Sequence, residues 1–109
     1  MRTARKIELP NPWTKLVELC REINFGYIEG VQFQDGLPTR YGPVIKTVMP
    51  GPNKNNGPAT AFDGSLKPQW ADVYDVAQSA TLVSVRRFEV AHGNPLKLHV
   101  EREGGEFHG

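Results

Sequence analysis

The sequence has little of what most functional classes require. It holds one cysteine, Cys20, in 109 residues, which excludes an internal disulfide and any zinc site built on paired cysteines. No apolar run approaches the roughly 20 residues that cross a bilayer. The basic start Arg2, Arg5 and Lys6 runs into Glu8 and Pro10, not into the apolar stretch of about 7–15 residues that a secretion signal needs. An excess of either charge is also missing, because 13 Lys and Arg stand against 12 Asp and Glu. That balance removes the general pull toward nucleic acid or anionic membrane that a strongly basic chain would have. The expectation is a soluble, cytoplasmic protein without membrane association, folded as a single domain over 1–109.

Constellations that carry chemistry are equally sparse. His92, His99 and His108 match no ligand spacing, so no metal and no cofactor is expected. Glu18 with Glu22, and Glu101, Glu103 and Glu106, could in principle do acid–base work, but both groups read as solvated faces. The stretch Gly51–Gly57 contains Lys54 without the preceding strand or the Lys-Ser/Thr pair of a phosphate loop. Cys20 lies among apolar neighbours on a helical stripe and reads as a buried, inert thiol. No catalytic residue is assigned, and the chain reads as a non-enzyme.

What the sequence does have is internal similarity. A shift of 57 places Trp13 on Trp70, Gly36 on Gly93 and Pro38 on Pro95, without a gap. Under the same shift Leu16 meets Val73, Leu19 meets Val76, Ile28 meets Val85 and Phe33 meets Val90. Each copy reads as helix, strand, turn, strand. Trp13, Leu16, Val17 and Cys20 recur at i, i+3, i+4 and i+7 behind Asn11-Pro12, an N-cap with proline at the first helical position. Trp70, Val73, Tyr74 and Ala77 repeat that stripe behind Lys67-Pro68. The helices are predicted to end near Ile23 and Ala80.

Ile28–Gln34 and Val83–Ala91 are rich in β-branched and aromatic residues and are predicted strands. Their alternation changes phase at Glu29-Gly30 and at Arg86-Arg87, where a β-bulge would restore the core-facing phase. Asp35-Gly36 and His92-Gly93 supply the hairpin turns. Return strands follow: Leu96, Leu98 and Val100 are expected to face the helices, with Lys97, His99 and Glu101 on the wet side. In the first copy the return strand begins near Thr39-Arg40-Tyr41 and extends toward Val44–Met49.

The resulting expectation is an α+β fold of tandem duplicated α-β-β units: one antiparallel four-stranded sheet with two helices on one face. Copy one spans about 11–49, a Pro/Gly/Asn-rich linker about 50–65, and copy two about 66–103. A unit of this size is too small to close a core alone, so each copy must act as the other's missing half.

The run Ile23-Asn24-Phe25-Gly26-Tyr27-Ile28-Glu29-Gly30-Val31-Gln32-Phe33-Gln34-Asp35-Gly36 resembles the YezD-like family of small bacterial proteins. That family has a short helix, an aromatic-Gly pair, a strand and a Gln-Asp-Gly turn before a second strand. The second copy departs from the pattern, with Leu82-Val83 for the aromatic-Gly pair and His92-Gly93 for Asp-Gly. The resemblance implies a fold unit and a bacterial, cytoplasmic setting. It implies no activity, and no functional residue is carried over.

A nearly neutral chain with few clustered polar groups offers surfaces rather than a pocket. The leading expectation is a protein-binding module, an adaptor or inhibitor, as a monomer or weak dimer. Tyr27, Leu37 and Tyr41 are its candidate partner surface, because tyrosine is enriched at interfaces and edge strands accept added strands. The alternative is nucleic-acid binding by the basic arm Arg2, Arg5 and Lys6 with Arg86, Arg87 and Lys97. Glu89 and Glu101 interrupt that face, and it lacks stacking aromatics.

Overall fold

The computed structural model describes residues 11–51, 66–102 and 104–107. Arg2, Arg5, Lys6, Glu103, His108 and most of the expected linker lie outside the described residues. The fold is α+β. Two helices, α1 (Asn11–Ile23) and α2 (Gln69–Gln78), pack with a five-stranded antiparallel sheet of β1 (Gly26–Gln34), β2 (Leu37–Tyr41), β3 (Val44–Lys46), β4 (Leu82–Ala91) and β5 (Asn94–Glu101). Across the sheet the order is β2-β1-β4-β5, and β3 lies beside β1 on the β2 side.

The helices form where the apolar stripes lie. Trp13, Leu16, Val17, Cys20 and Ile23 of α1 are buried, as are Trp70, Val73 and Ala77 of α2. They meet the inward residues of the central strands, Ile28, Val31 and Phe33 of β1 with Val83, Val85, Phe88 and Val90 of β4, in one hydrophobic core. Trp13 stacks obliquely on Phe33 and Trp70 on Phe88, with ring centres 5.6 and 6.2 Å apart. α1 ends at Asn24, whose φ of 63° is the left-handed cap conformation and whose N–H donates to the Cys20 carbonyl. α2 ends at Gln78, short of Ala80, because the Ser79 hydroxyl and N–H both turn back onto the Val76 carbonyl.

Both hairpins use two-residue turns in which both central residues have φ > 0: Asp35 and Gly36 at 53° and 79°, His92 and Gly93 at 54° and 76°. That conformation matches strand twist, and glycine adopts it without cost. Each turn is tied to the neighbouring helix–strand junction. The Asp35 N–H donates to the Thr81 carbonyl, and the Gly93 N–H to the Asn24 carbonyl. Thr81 and Asn24 are themselves 57 apart, so each helix–strand junction accepts a hydrogen bond from the other half's turn.

The sheet corrects several expectations. It has five strands, not four, because the first return strand is cut at Gly42-Pro43. Pro43 has no N–H to give the ladder, and a Cβ at Gly42 would collide with the Glu29 carbonyl oxygen. The two pieces nevertheless keep one register on β1, with Val31 opposite Tyr41 and Ile28 opposite Val44. The burial phase does change at Glu29-Gly30 and Arg86-Arg87. Of these two places, only the second carries a register shift, between Val85 and Arg87 against β5. In β1 the change is made by the backbone at Gly30, with φ of 89°, while the pairs on either side of it, Ile28 with Val44 and Val31 with Tyr41, stay in register.

Further bulges sit where none was expected. Thr39 is the extra residue in β2, where partners step from Arg40 to Pro38, and Leu96 is the extra residue in β5, where they step from Lys97 to Pro95. Leu96 is therefore rotated out and 62% exposed rather than core-facing. Leu98 is partly buried, and Val100 is 42% exposed. Tyr74, expected in the α2 stripe, leans on Trp13 but stays half exposed.

Candidate functional site

A groove of about 540 Å³ lies between α1 and β2. It lies where α1 runs alongside the bulged edge strand β2. Pro12, Leu16, Leu19, Val31, Pro38 and Tyr41 give it apolar walls, and Asn11, Lys15, Thr39 and Arg40 complete the lining. Tyr41 is 60% exposed, so a broad aromatic face stands open beside the groove. Thr39, the bulge residue, donates its hydroxyl to the Gln32 carbonyl at 3.3 Å and so holds the edge in shape.

A smaller groove of about 210 Å³ lies between α2 and β5. Every residue lining it stands 57 positions after one lining the first: Val76 after Leu19, Pro95 after Pro38, Leu98 after Tyr41. The two grooves differ in charge. Lys15 and Arg40 line the first, Asp72 and Lys97 the second.

The opposite face of the sheet carries polar residues. Arg87 lies over the Tyr27 ring, its guanidinium carbon 3.8 Å from the ring centre. Glu89 accepts a 2.8 Å hydrogen bond from His99 Nε2 and stands 3.9 Å from Arg87 Nε. The His99 hydrogen bond holds the Glu89 carboxyl below its ordinary range, aided by the positive charges of Lys97 and Arg87. Tyr27, Glu29, Arg86, Arg87 and His99 frame a shallow polar depression of about 350 Å³.

The structure separates the residues expected to form a partner surface. Tyr41 lines the α1–β2 groove. Tyr27 is on the other face of the sheet beneath Arg87, and Leu37 is partly buried against the core. Of the candidate nucleic-acid contacts, Arg86 and Arg87 are on one exposed patch, with Arg87 engaged by Tyr27 and Glu89. Lys97 stands opposite Glu89 across the β4–β5 ladder and also lines the α2–β5 groove. Neither Lys15 nor Leu19 is among the candidate site residues read from the sequence. Their i, i+4 spacing beside the stripe was the available signal, but it gains meaning only once β2 is known to bulge.

Cys20 is fully buried, and burial pushes its thiol far up from the ordinary value. His92 sits exposed in its turn, edge-on to Phe25 at 4.8 Å. Among the described residues, no three of His, Cys, Asp and Glu converge as metal ligands, and no helix is long and apolar enough to cross a membrane. Comparison of the chain with protein-family models, curated proteins and solved structures gives no match.

Proposed function

We propose that the chain is a small non-enzymatic binding module, an adaptor or inhibitor, that takes a protein partner in the α1–β2 groove. The observation that carries this reading is the lining: apolar walls of Leu16, Leu19 and Tyr41 beside the cations Lys15 and Arg40. Such a surface suits a segment with apolar side chains and a neighbouring carboxylate. Open apolar area rimmed by polar residues is the usual mark of a docking site.

We also propose that the two halves descend from one duplicated α-β-β unit. Its supports are the equivalent turns, the equivalent bulges at Thr39 and Leu96, and the equivalent grooves. In this reading one groove kept a basic lining, and the other acquired Asp72 where the first has Lys15.

The test is a peptide-display selection on the immobilised protein, followed by fluorescence anisotropy of the enriched peptides. Expected are apolar–acidic sequences whose affinity falls at least about tenfold, or 1.4 kcal/mol, in Lys15→Glu but not in Asp72→Lys. No enrichment, or equal binding to Lys15→Glu, overturns the groove assignment. Binding to labelled DNA or RNA that weakens steeply with salt and is lost in Arg86→Glu and Arg87→Glu would favour the nucleic-acid alternative instead.

A further inference from the structure

The two outer edges of the sheet are not equivalent. The β2–β3 edge is blunted by Pro38, by the bulge at Thr39 and by the break at Gly42-Pro43, the devices that keep edge strands from pairing with other chains. β5 has a bulge at Leu96, but from there to Glu101 it runs without proline or glycine. Among the described residues no strand pairs with its outer side. Leu96 and Val100 stand exposed along it.

We propose that β5 is a self-association edge, on which Lys97–Glu101 pairs antiparallel with the same segment of a second copy and joins the two sheets into one. The proposal goes beyond the groove reading and uses the opposite edge of the sheet. The occupant is fixed by charge complementarity. On β5, Lys97 and His99 lie opposite Glu89 and Arg87 on the polar face, while Leu98 and Val100 lie opposite Phe88 and Val85 on the helix-covered face. A twofold axis through His99 places Lys97 against Glu101 of the second copy, twice, on the polar face. On the other face the same register places Leu98 against Val100 of the second copy.

Moving the axis to Leu98 sets Lys97 against His99 of the second copy and loses both ion pairs. Moving it by half a residue mixes inward with outward side chains. Of these three registers, the one centred on His99 satisfies charge and apolar matching together. The ladder is short and well below a standard interface, so the dimer is weak and concentration-dependent.

Sedimentation equilibrium of the full chain from about 5 μM to about 500 μM, the range in which weak interfaces dissociate, reads the association directly. Dimerisation is expected to weaken at least tenfold in Lys97→Glu and in Glu101→Lys, and to return in the double charge swap. Melting curves establish that each variant is folded. Because Lys97 also neighbours Glu89, a cysteine series gives an independent reading. Paired antiparallel residues have Cα atoms about 4.5–5.5 Å apart, within disulfide reach. Under mild oxidation His99→Cys is therefore expected to cross-link between copies faster than Lys97→Cys. A monomer at every concentration overturns the proposal. So do a dimer indifferent to both single charge variants, a folded double swap that fails to restore association, and equal cross-linking of the two cysteine variants.

Discussion

Trp13 and Trp70 meet edge to face across the centre of the molecule, their ring centres 6.4 Å apart and their planes at 84°. They are 57 positions apart, each in the first turns of its own helix, and each is also stacked on a phenylalanine of the sheet beneath, Phe33 or Phe88. The Trp13 indole N–H donates to the Gly36 carbonyl at 3.1 Å, so the ring also pins the first hairpin turn. Neither helix is long enough to persist alone, and the two tryptophans are where each is held to the sheet and to the other.

Replacing either tryptophan with alanine should therefore cost about 3–5 kcal/mol in urea denaturation. Because the two rings touch, the double substitution should cost less than the sum of the singles by at least about 0.5 kcal/mol. A single loss under about 0.5 kcal/mol, typical of a surface position, would show that the helix concerned is not anchored there. Strict additivity would show that the ring pair carries no coupling.

Gly42 is the second test of the fold. A methyl group there would collide with the Glu29 carbonyl oxygen on the neighbouring strand, and the Gly42 N–H donates to the Gly30 carbonyl at 2.8 Å. Gly42→Ala must push β2 and β3 away from the middle of β1. The expected loss is about 1–3 kcal/mol, the range for overpacking, with faster amide exchange at Glu29, whose N–H donates to the Pro43 carbonyl. An alanine variant as stable as the wild type would mean that the strand break is loosely held.

Much of this fold was legible in the sequence, because its signals are local. The stripe at Trp13, Leu16, Val17 and Cys20, the dipeptides Asp35-Gly36 and His92-Gly93, and the cluster from Val83 to Val90 each fix an element through neighbouring residues. The exposed Leu96 and the divided first return strand were not legible. Both depend on a strand's partner: a bulge at Leu96 is defined by what Glu89 and Val90 face, and the break at Gly42 by the approach of Glu29. The groove was hidden for the same reason. Lys15, Leu19, Pro38 and Tyr41 converge only once α1 and β2 are placed side by side.

Cys20 supplies a probe of opening. It is fully buried on α1, with its thiol pushed far above the ordinary value by burial, so in the native state there is neither access nor thiolate. Reaction with a disulfide reagent at neutral pH should be slow and should accelerate with urea in step with unfolding. Trp70→Ala, which leaves Cys20 in place, should speed it by destabilising the core. Rapid stoichiometric reaction of the native wild type would mean that α1 opens independently of the sheet.

The polar face predicts an acid-dependent component of stability. The His99 hydrogen bond holds Glu89 below its ordinary value, with Lys97 and Arg87 adding to the effect. A carboxyl whose pKa is lower folded than unfolded binds fewer protons in the native state. Its contribution is therefore present at pH values above the unfolded pKa, near 4.5, and is lost as pH falls through the folded pKa. Wild-type stability should drop more steeply than that of Glu89→Gln as pH is lowered from about 5 toward about 3, near the carboxyl range. The two should run parallel above that window. In a carbon-detected titration, Glu89 should move up toward its ordinary value in His99→Gln and, by a smaller step, in Lys97→Gln. If Glu89 titrates identically in the wild type and in His99→Gln, the His99 contact is not what lowers it, and the acid limb of the stability curve must arise from other carboxylates.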